Sequence, residues 1–524
     1  MLDTILNLGL RAVYLLFGVG AFLAILRWSY TAIRERRERW AVFLAFGMLL
    51  LAGVYAAGHS IILLRAEQIE EGRQRYSRFG DPRASEMNRG DLRGWILDCT
   101  GKDENALARY GMRDGEVQRV HPLGEAGANL LGGGTDADKR DYTIERVFAE
   151  RLRAPMNFRE RTELHAAGED MQLTLCADAT REAYGLLQKT GFNGVVVMQD
   201  VKNGAVVAYT STGTAEQAPL GIKRYTLPGS VFKLALSALW WDSGMGDRYM
   251  PCPASIQVGN RRIRNFESKE YPSMEIPRRM LVVSCNTQAI AMAFQMRNEL
   301  GEEKFADAYR RYGFIPYSGD APQEAPARFW NTASERWTER MTPPPNRVLF
   351  RKKFNPFDWA QMAMGPGPVD VTPIAVSRFI QAIGNNGVML PVTLEQDALR
   401  EVPEGSEVMK PATARKLQRA MLEVVDTGTA VSVKPALAKL TWDMGGKTGT
   451  ADIRRGQRPD GWFAGLIHGA DGQPRYTIVV YLQQAGQGGR APAGVAAAMT
   501  RFMALRADGQ GAIRPPRVTL REDE

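Results

Sequence analysis

The sequence predicts an α+β fold, with antiparallel strand pairing beside buried helices. Three observations carry this. Two β-branched runs, 194–200 and 205–209, flank Asn203-Gly204, a dipeptide that favours hairpins. A stretch that is apolar nearly all round (Val231, Phe232, Leu234 to Leu236, Ala238 to Trp240) follows the turn signal Pro228-Gly229, as a buried helix requires. Two apolar runs at the N-terminus stand apart from the rest in composition and predict transmembrane helices.

Ala41 to Leu64 contains no Asp, Glu, Lys or Arg, and its length exceeds the roughly 20 residues that cross a bilayer. The run from about Ile5 to Leu26 is apolar but broken by Asn7 and Arg11. Between them lie Arg27, Arg34, Arg36, Arg37 and Arg39, and short Arg-rich loops stay on the cytoplasmic side. Residues 1–65 therefore read as a two-helix hairpin, with everything after Arg65 outside the cytoplasmic (inner) membrane. A signal peptide fits the first run poorly, because its basic cluster follows the apolar segment.

The chain of 524 residues suggests two to four domains. Net charge is +9, yet no stretch beyond the N-terminus is densely basic and no nucleic-acid motif occurs. Anionic membrane or polyanionic wall surroundings suit that charge. Four cysteines (Cys99, Cys176, Cys252, Cys285) are too few for a disulfide scaffold in a chain this large, although one pair could bond. The four histidines are scattered without metal-ligand spacing, so no metal or cofactor is expected.

After a polar segment, 66–89, Arg93 to Asp98 reads as a short strand, and 66–168 as a small non-catalytic module. Leu173 to Leu175 reads as a strand and Asp178 to Leu187 as a helix. Residues 317–356 are rich in proline and charge and form a surface excursion or a flap near a cleft. The last stretch, 508–524, lacks periodicity and reads as a disordered tail, which leaves 169–507 as the main domain.

The chemistry centres on Ser230 and Lys233. Residues three apart share a helix face, so the lysine amine comes within reach of the serine hydroxyl. An amine walled in by apolar side chains loses hydration and its pKa falls, which suits it to accept a proton from a serine nucleophile. Alone, the pair fits equally well a serine cap on a core helix with a snorkelling lysine. Two further pieces add weight: Ser284-Cys285-Asn286, which starts 54 residues after Ser230, and Lys447-Thr448-Gly449-Thr450, which starts 163 residues after Ser284. A phosphate loop ending at Gly446-Lys447-Thr448 is excluded by Thr441, where a glycine is required. Cys285 as a thiol nucleophile is the weaker reading beside Ser284.

Ser-x-x-Lys, Ser-x-Asn and Lys-Thr-Gly in this order resemble the signatures of the penicillin-recognising serine enzymes. The chain is most similar to class B penicillin-binding proteins, the monofunctional peptidoglycan DD-transpeptidases, from about Asp91 to Leu505. Arg93 to Asp98 resembles the opening of their pedestal, Ala363 to Gly367 their Gly-rich segment, and Gly461 to Gly465 the strand beside Lys-Thr-Gly. Two N-terminal helices and Gly365-Pro366-Gly367 depart from the usual pattern of one helix and Gly-Gln-Gly.

The resemblance implies the penicillin-binding transpeptidase fold, an antiparallel sheet flanked by helices, with a pedestal module. It also implies roles. Ser230 would be acylated by a D-Ala-D-Ala stem peptide, Lys233 would take its proton, and Ser284 would relay a proton to the leaving nitrogen. Asn286 would hold the substrate backbone, and Lys447 would supply positive charge. Thr448 and Thr450, either side of Gly449, would bind the terminal carboxylate. Peptidoglycan stem peptides, β-lactam inhibitors, the inner membrane and a polytopic glycan polymerase are the implied partners, with no nucleic acid. Two rivals are a DD-carboxypeptidase or β-lactamase-like hydrolase, and a membrane-tethered penicillin sensor or scaffold without turnover. Against the first, no Glu-x-x-Leu-Asn lies between Asn286 and Lys447; against the second, the basic loop is too short for a signalling domain.

Overall fold

The computed structural model describes residues 93–508 except 114–115, 134–142, 153–168, 213–219, 223, 318–339, 342–345, 350–354, 368, 401–403 and 452–455, together with a few isolated positions between 20 and 53. The membrane hairpin, the polar segment 66–89, most of 317–356 and the C-terminal tail fall outside the described residues. Among the described residues no helix is long and apolar enough to cross a membrane. The chain divides into two compact units, and the larger holds 93–111, 118–153 and 168–524. It is the unit described below.

Its centre is a five-stranded antiparallel sheet. In chain order the strands are β1 (Gly194–Gln199), β2 (Val206–Ser211), β3 (Asp443–Ala451), β4 (Asp460–His468) and β5 (Pro474–Leu482), and they lie side by side as β3-β4-β5-β1-β2. Strand β1 is buried along its whole length because both faces are covered. Val195 and Val197 point into one core and Val196 and Met198 into the other, as the two-residue period demands. The second core is closed by α1 (Ala177–Thr190) and α8 (Ala491–Asp508). The first holds α2 (Lys233–Asp242), α4 (Asn286–Leu300), α5 (Pro356–Met364) and α6 (Pro373–Gly384), with α3 (Arg278–Val283) and α7 (Pro411–Asp426) alongside.

The expected hairpin forms, but its loop is longer than Asn-Gly alone. Asp200 and Ala205 close the turn, with Gly204 N–H donating to Asp200 O at 3.0 Å. The predicted strand at 173–175 is displaced: Met171–Gln172 pairs in parallel with Ile96–Leu97, and Leu173 makes only an isolated bridge to Glu395. The helix expected at 178–187 runs one residue earlier and three later. Ile96, Leu107, Leu130 and Leu152 join the same hydrophobic core as α2, so the strand expected at 93–98, which is Ile96–Leu97 in the structure, packs onto that core.

The cysteines require a correction. All four are paired, Cys99 with Cys176 and Cys252 with Cys285. The partners are 77 and 33 residues apart in sequence. Only the tertiary fold brings them together, which is why composition gave no hint of the pairing. With Cys285 in a disulfide, a thiol nucleophile at that position is ruled out.

Candidate active site

Ser230 does not lie on the α-helix proper. It occupies a 3-10 turn, Gly229–Phe232, and α2 begins directly afterwards at Lys233. The turn is held by glycine contacts that no side chain could make. A Cβ on Gly229 would lie 2.4 Å from the carbonyl oxygen of Thr450, and one on Gly365 would lie 1.8 Å from the carbonyl oxygen of Gly229. Gly365 caps α5 at φ +91, a conformation that L side chains rarely adopt. The Ser230 turn is thus clamped between the Gly365 corner and the Lys-Thr-Gly strand. In that strand Lys447 pairs with Ala464 and Gly449 with Trp462, as the Gly461 to Gly465 resemblance implied.

The Lys233 side chain is fully buried. Its Nζ donates to the carbonyl oxygen of Ser284 at 2.8 Å and to Asn286 Oδ1 at 2.7 Å, and lies 3.3 Å from Ser284 Oγ. Burial lowers its pKa well below the ordinary lysine value, and the neighbouring Lys447 amine lowers it further. This has a geometric corollary. The two shorter contacts are to oxygens that can only accept, so they take two hydrogens. A neutral amine has only two, and its lone pair is left for a hydroxyl.

Lys447 is buried as deeply, and desolvation pulls its pKa down to about 7. Its Nζ donates to Ser284 Oγ at 2.9 Å and to Thr448 O at 3.0 Å. Ser284 therefore stands between the two amines. It reaches that place through backbone strain: it ends α3 in the left-handed region, at φ 58 and ψ 39. For a residue with a Cβ this costs roughly 1–2 kcal/mol.

Lys233, Ser284, Asn286 and Lys447 form one hydrogen-bonded cluster, with Ser230 a turn before Lys233. Thr448 is buried and its hydroxyl lies 2.7 Å from that of Thr429, whereas Thr450 is exposed. Gly449 packs beneath the Ser230 turn, where a Cβ would meet Pro228 O at 2.7 Å. Asn286 Oδ1 faces Lys233, and Asn286 Nδ2 donates to Arg264 O at 3.2 Å, so its amide is engaged by the protein on both sides.

Sequence reasoning missed Asn265. Its Oδ1 accepts from the N–H groups of Asn286 and Thr287 at 2.9 and 3.1 Å, two of the donors that the first turn of α4 leaves unpaired. Its Nδ2 donates to Pro253 O and Lys269 O, both at 2.8 Å. A single buried amide thus fixes the backbone that aims Asn286 at Lys233. Nothing local in the sequence marks it. Thr429 has no local signature either, and its contact with Thr448 depends on tertiary folding.

A five-stranded antiparallel sheet whose edge strand carries Lys-Thr-Gly beside a Ser-x-x-Lys helix defines the penicillin-recognising class of folds. Within it, the chain belongs to the family described as penicillin binding protein transpeptidase domain, which matches residues 194–501. It is 25% identical over 385 residues to a probable peptidoglycan D,D-transpeptidase PenA of Neisseria meningitidis, covering 69% of this chain and 57% of that protein. It is 23% identical over 386 residues to penicillin-binding protein PbpB of Mycolicibacterium smegmatis, covering 64% and 55%. The chain thus spans little more than half the length of these curated relatives. Among solved structures, penicillin-binding protein A of M. tuberculosis, as an imipenem acyl-enzyme complex, aligns with a TM-score of 0.63 at 18% identity, covering 80% of this chain and 99% of that one. The D,D-transpeptidase domain of an Eggerthella lenta peptidoglycan glycosyltransferase aligns with a TM-score of 0.60 at 21% identity, covering 80% and 99%.

Proposed function

We propose that the protein is a peptidoglycan D,D-transpeptidase working through an acyl-enzyme on Ser230. The observation that carries this reading is the buried, hydrogen-bonded line Lys233–Ser284–Lys447 one turn after Ser230. A neutral Lys233 takes the Ser230 proton as Oγ attacks the penultimate D-Ala carbonyl carbon. The backbone N–H groups of Ser230 and Thr450 receive the oxyanion. When the intermediate collapses, the C–N bond breaks and the leaving D-Ala amine gains a proton through the Ser284 hydroxyl. Lys447 keeps that hydroxyl oriented, and its charge, with the Thr448 and Thr450 hydroxyls, receives the terminal carboxylate. An amine of a second stem peptide then attacks the Ser230 ester. A new amide forms, and the proton returns to the serine.

β-Lactams mimic the donor end and would acylate the same oxygen. The N-terminal apolar runs support anchoring in the inner membrane with the catalytic domain outside. Residues 66–168 would serve as a pedestal, 169–507 as the transpeptidase domain, and a polytopic glycan polymerase would supply the strands. A fluorescent penicillin tests the core of this reading. Wild-type protein should become labelled on Ser230 and release the adduct over hours, while Ser230→Ala stays unlabelled. Labelling of the variant would refute the assignment, and release within a second would make the protein a hydrolase.

A further inference from the structure

Next to Asn286 the chain builds a short hairpin, Ser255–Val258 paired antiparallel with Arg261–Arg264. Its second strand reads Arg-Arg-Ile-Arg. Ile263 lies opposite Ile256, and both pack on the main core, so the alternate positions Arg262 and Arg264 share the outward face. Arg261, on the inward side, stacks over the Phe357 ring at 4.1 Å and pins the hairpin to α5. Arg262 Nε donates to Ser255 Oγ at 2.8 Å, which leaves its two terminal nitrogens outward.

All three arginines are exposed, and none has a carboxylate within ion-pair distance among the described residues. Residues 248–271 hold five Arg or Lys against Glu267 and Glu270, and Glu267 pairs with Lys269. Arg248 is paired with Glu299 and Lys269 with Glu267, whereas the arginines of the second strand repel one another with no carboxylate paired to them among the described residues.

The position of this strand is fixed to the catalytic cluster. Arg264 O accepts from Asn286 Nδ2 at 3.2 Å, and the next residue, Asn265, accepts from the Asn286 N–H at 2.9 Å. A positive rim is thereby joined through two hydrogen bonds to the residue that faces Lys233.

We propose that Arg262 and Arg264 form a recognition surface for the free carboxylates of an acidic peptide substrate, outside the pocket that takes its C-terminal carboxylate. The proposal rests on the acyl-enzyme reading of Ser230 and adds to it a chemical class of substrate. Guanidinium–carboxylate pairs at an exposed rim are modest and salt-screened.

The test compares wild type with the double variant R262Q/R264Q, both as full chains. Three probes are used: penicillin G, an acidic pentapeptide ending in D-Ala-D-Ala, and the same peptide with its internal carboxylates capped as amides. In the variant, acylation by penicillin should stay within twofold of wild type. The second-order rate with the acidic peptide should fall about five- to tenfold, and its decline with rising salt should flatten. The capped peptide should react equally with both proteins and more slowly than the acidic one with wild type. A parallel fall with penicillin would make the arginines structural and overturn the proposal. Equal wild-type rates for the acidic and capped peptides would overturn it as well. Failure of penicillin to acylate wild type would instead refute the Ser230 reading, and this proposal with it.

Discussion

Replacing Asn286 by aspartate places a carboxylate where an amide oxygen now lies 2.7 Å from Lys233 Nζ. At that separation, with an effective dielectric of about 20, the Coulomb attraction to a protonated amine is about 6 kcal/mol. The carboxylate's own desolvation offsets much of this, and an opposite charge at such range raises an amine pKa by about 1 to 3 units. The sign is fixed: the new charge favours protonated Lys233, whereas the base must be neutral. In Asn286→Asp the acid limb of the acylation rate should therefore move to higher pH. At any pH below the displaced limb, each unit leaves about tenfold less neutral amine. The plateau should recover substantially once the limb is passed. The assay is the second-order rate of penicillin acylation across pH, with Asn286→Ala as the uncharged control. A limb that stays in place while the plateau drops would refute the assignment of Lys233 as the titrating base.

Three other outcomes follow from the same geometry. Lys447 is held near 7 when folded against an ordinary 10.5; between those values the unfolded chain binds more protons, so the wild-type melting temperature should rise with pH from about 7 towards 10, and Lys447→Met should make that slope shallower, the lowered pKa of Lys233 supplying the rest, while losing acylation. Gly365→Ala puts a methyl 1.8 Å from Gly229 O at a positive φ; backbone strain alone costs about 1–3 kcal/mol, and penicillin labelling should be lost at temperatures where the variant is still folded by circular dichroism. Asn265→Ala strips partners from two backbone N–H groups and two carbonyls; stability should fall by about 2–4 kcal/mol in denaturant titrations, whereas Asn265→Asp, which keeps both acceptor contacts, should retain more of the acylation rate.

The residues proposed to do chemistry were legible because each lies in a short contiguous signature. Ser230 with Lys233, Ser284 with Asn286, and Lys447 with its two threonines need only local backbone to be recognised. Their convergence was expected from the resemblance and is seen in the hydrogen bonds through Ser284. What supports them was not legible. Asn265 acts across about 20 residues on backbone groups that have no signature of their own. The disulfides join positions whose proximity is made by sheet and helix packing. The strand order places the early hairpin β1-β2 beyond β5, at the far side from Lys-Thr-Gly, a long-range pairing that periodicity cannot reveal. The 3-10 turn at Ser230 escaped because the apolar run after it reads as one continuous helix, whereas the Gly229 and Gly365 contacts tighten its first turn.

The left-handed backbone at Ser284 limits what could ever replace it. Threonine would offer the same oxygen and the same proton, yet a β-branched residue at φ 58 is a genuine outlier. Glycine would relax the torsion and delete the hydroxyl. At this position serine is the one small alcohol that the main chain will accept, so peptide torsion, as much as acid–base chemistry, dictates the side chain between the two amines.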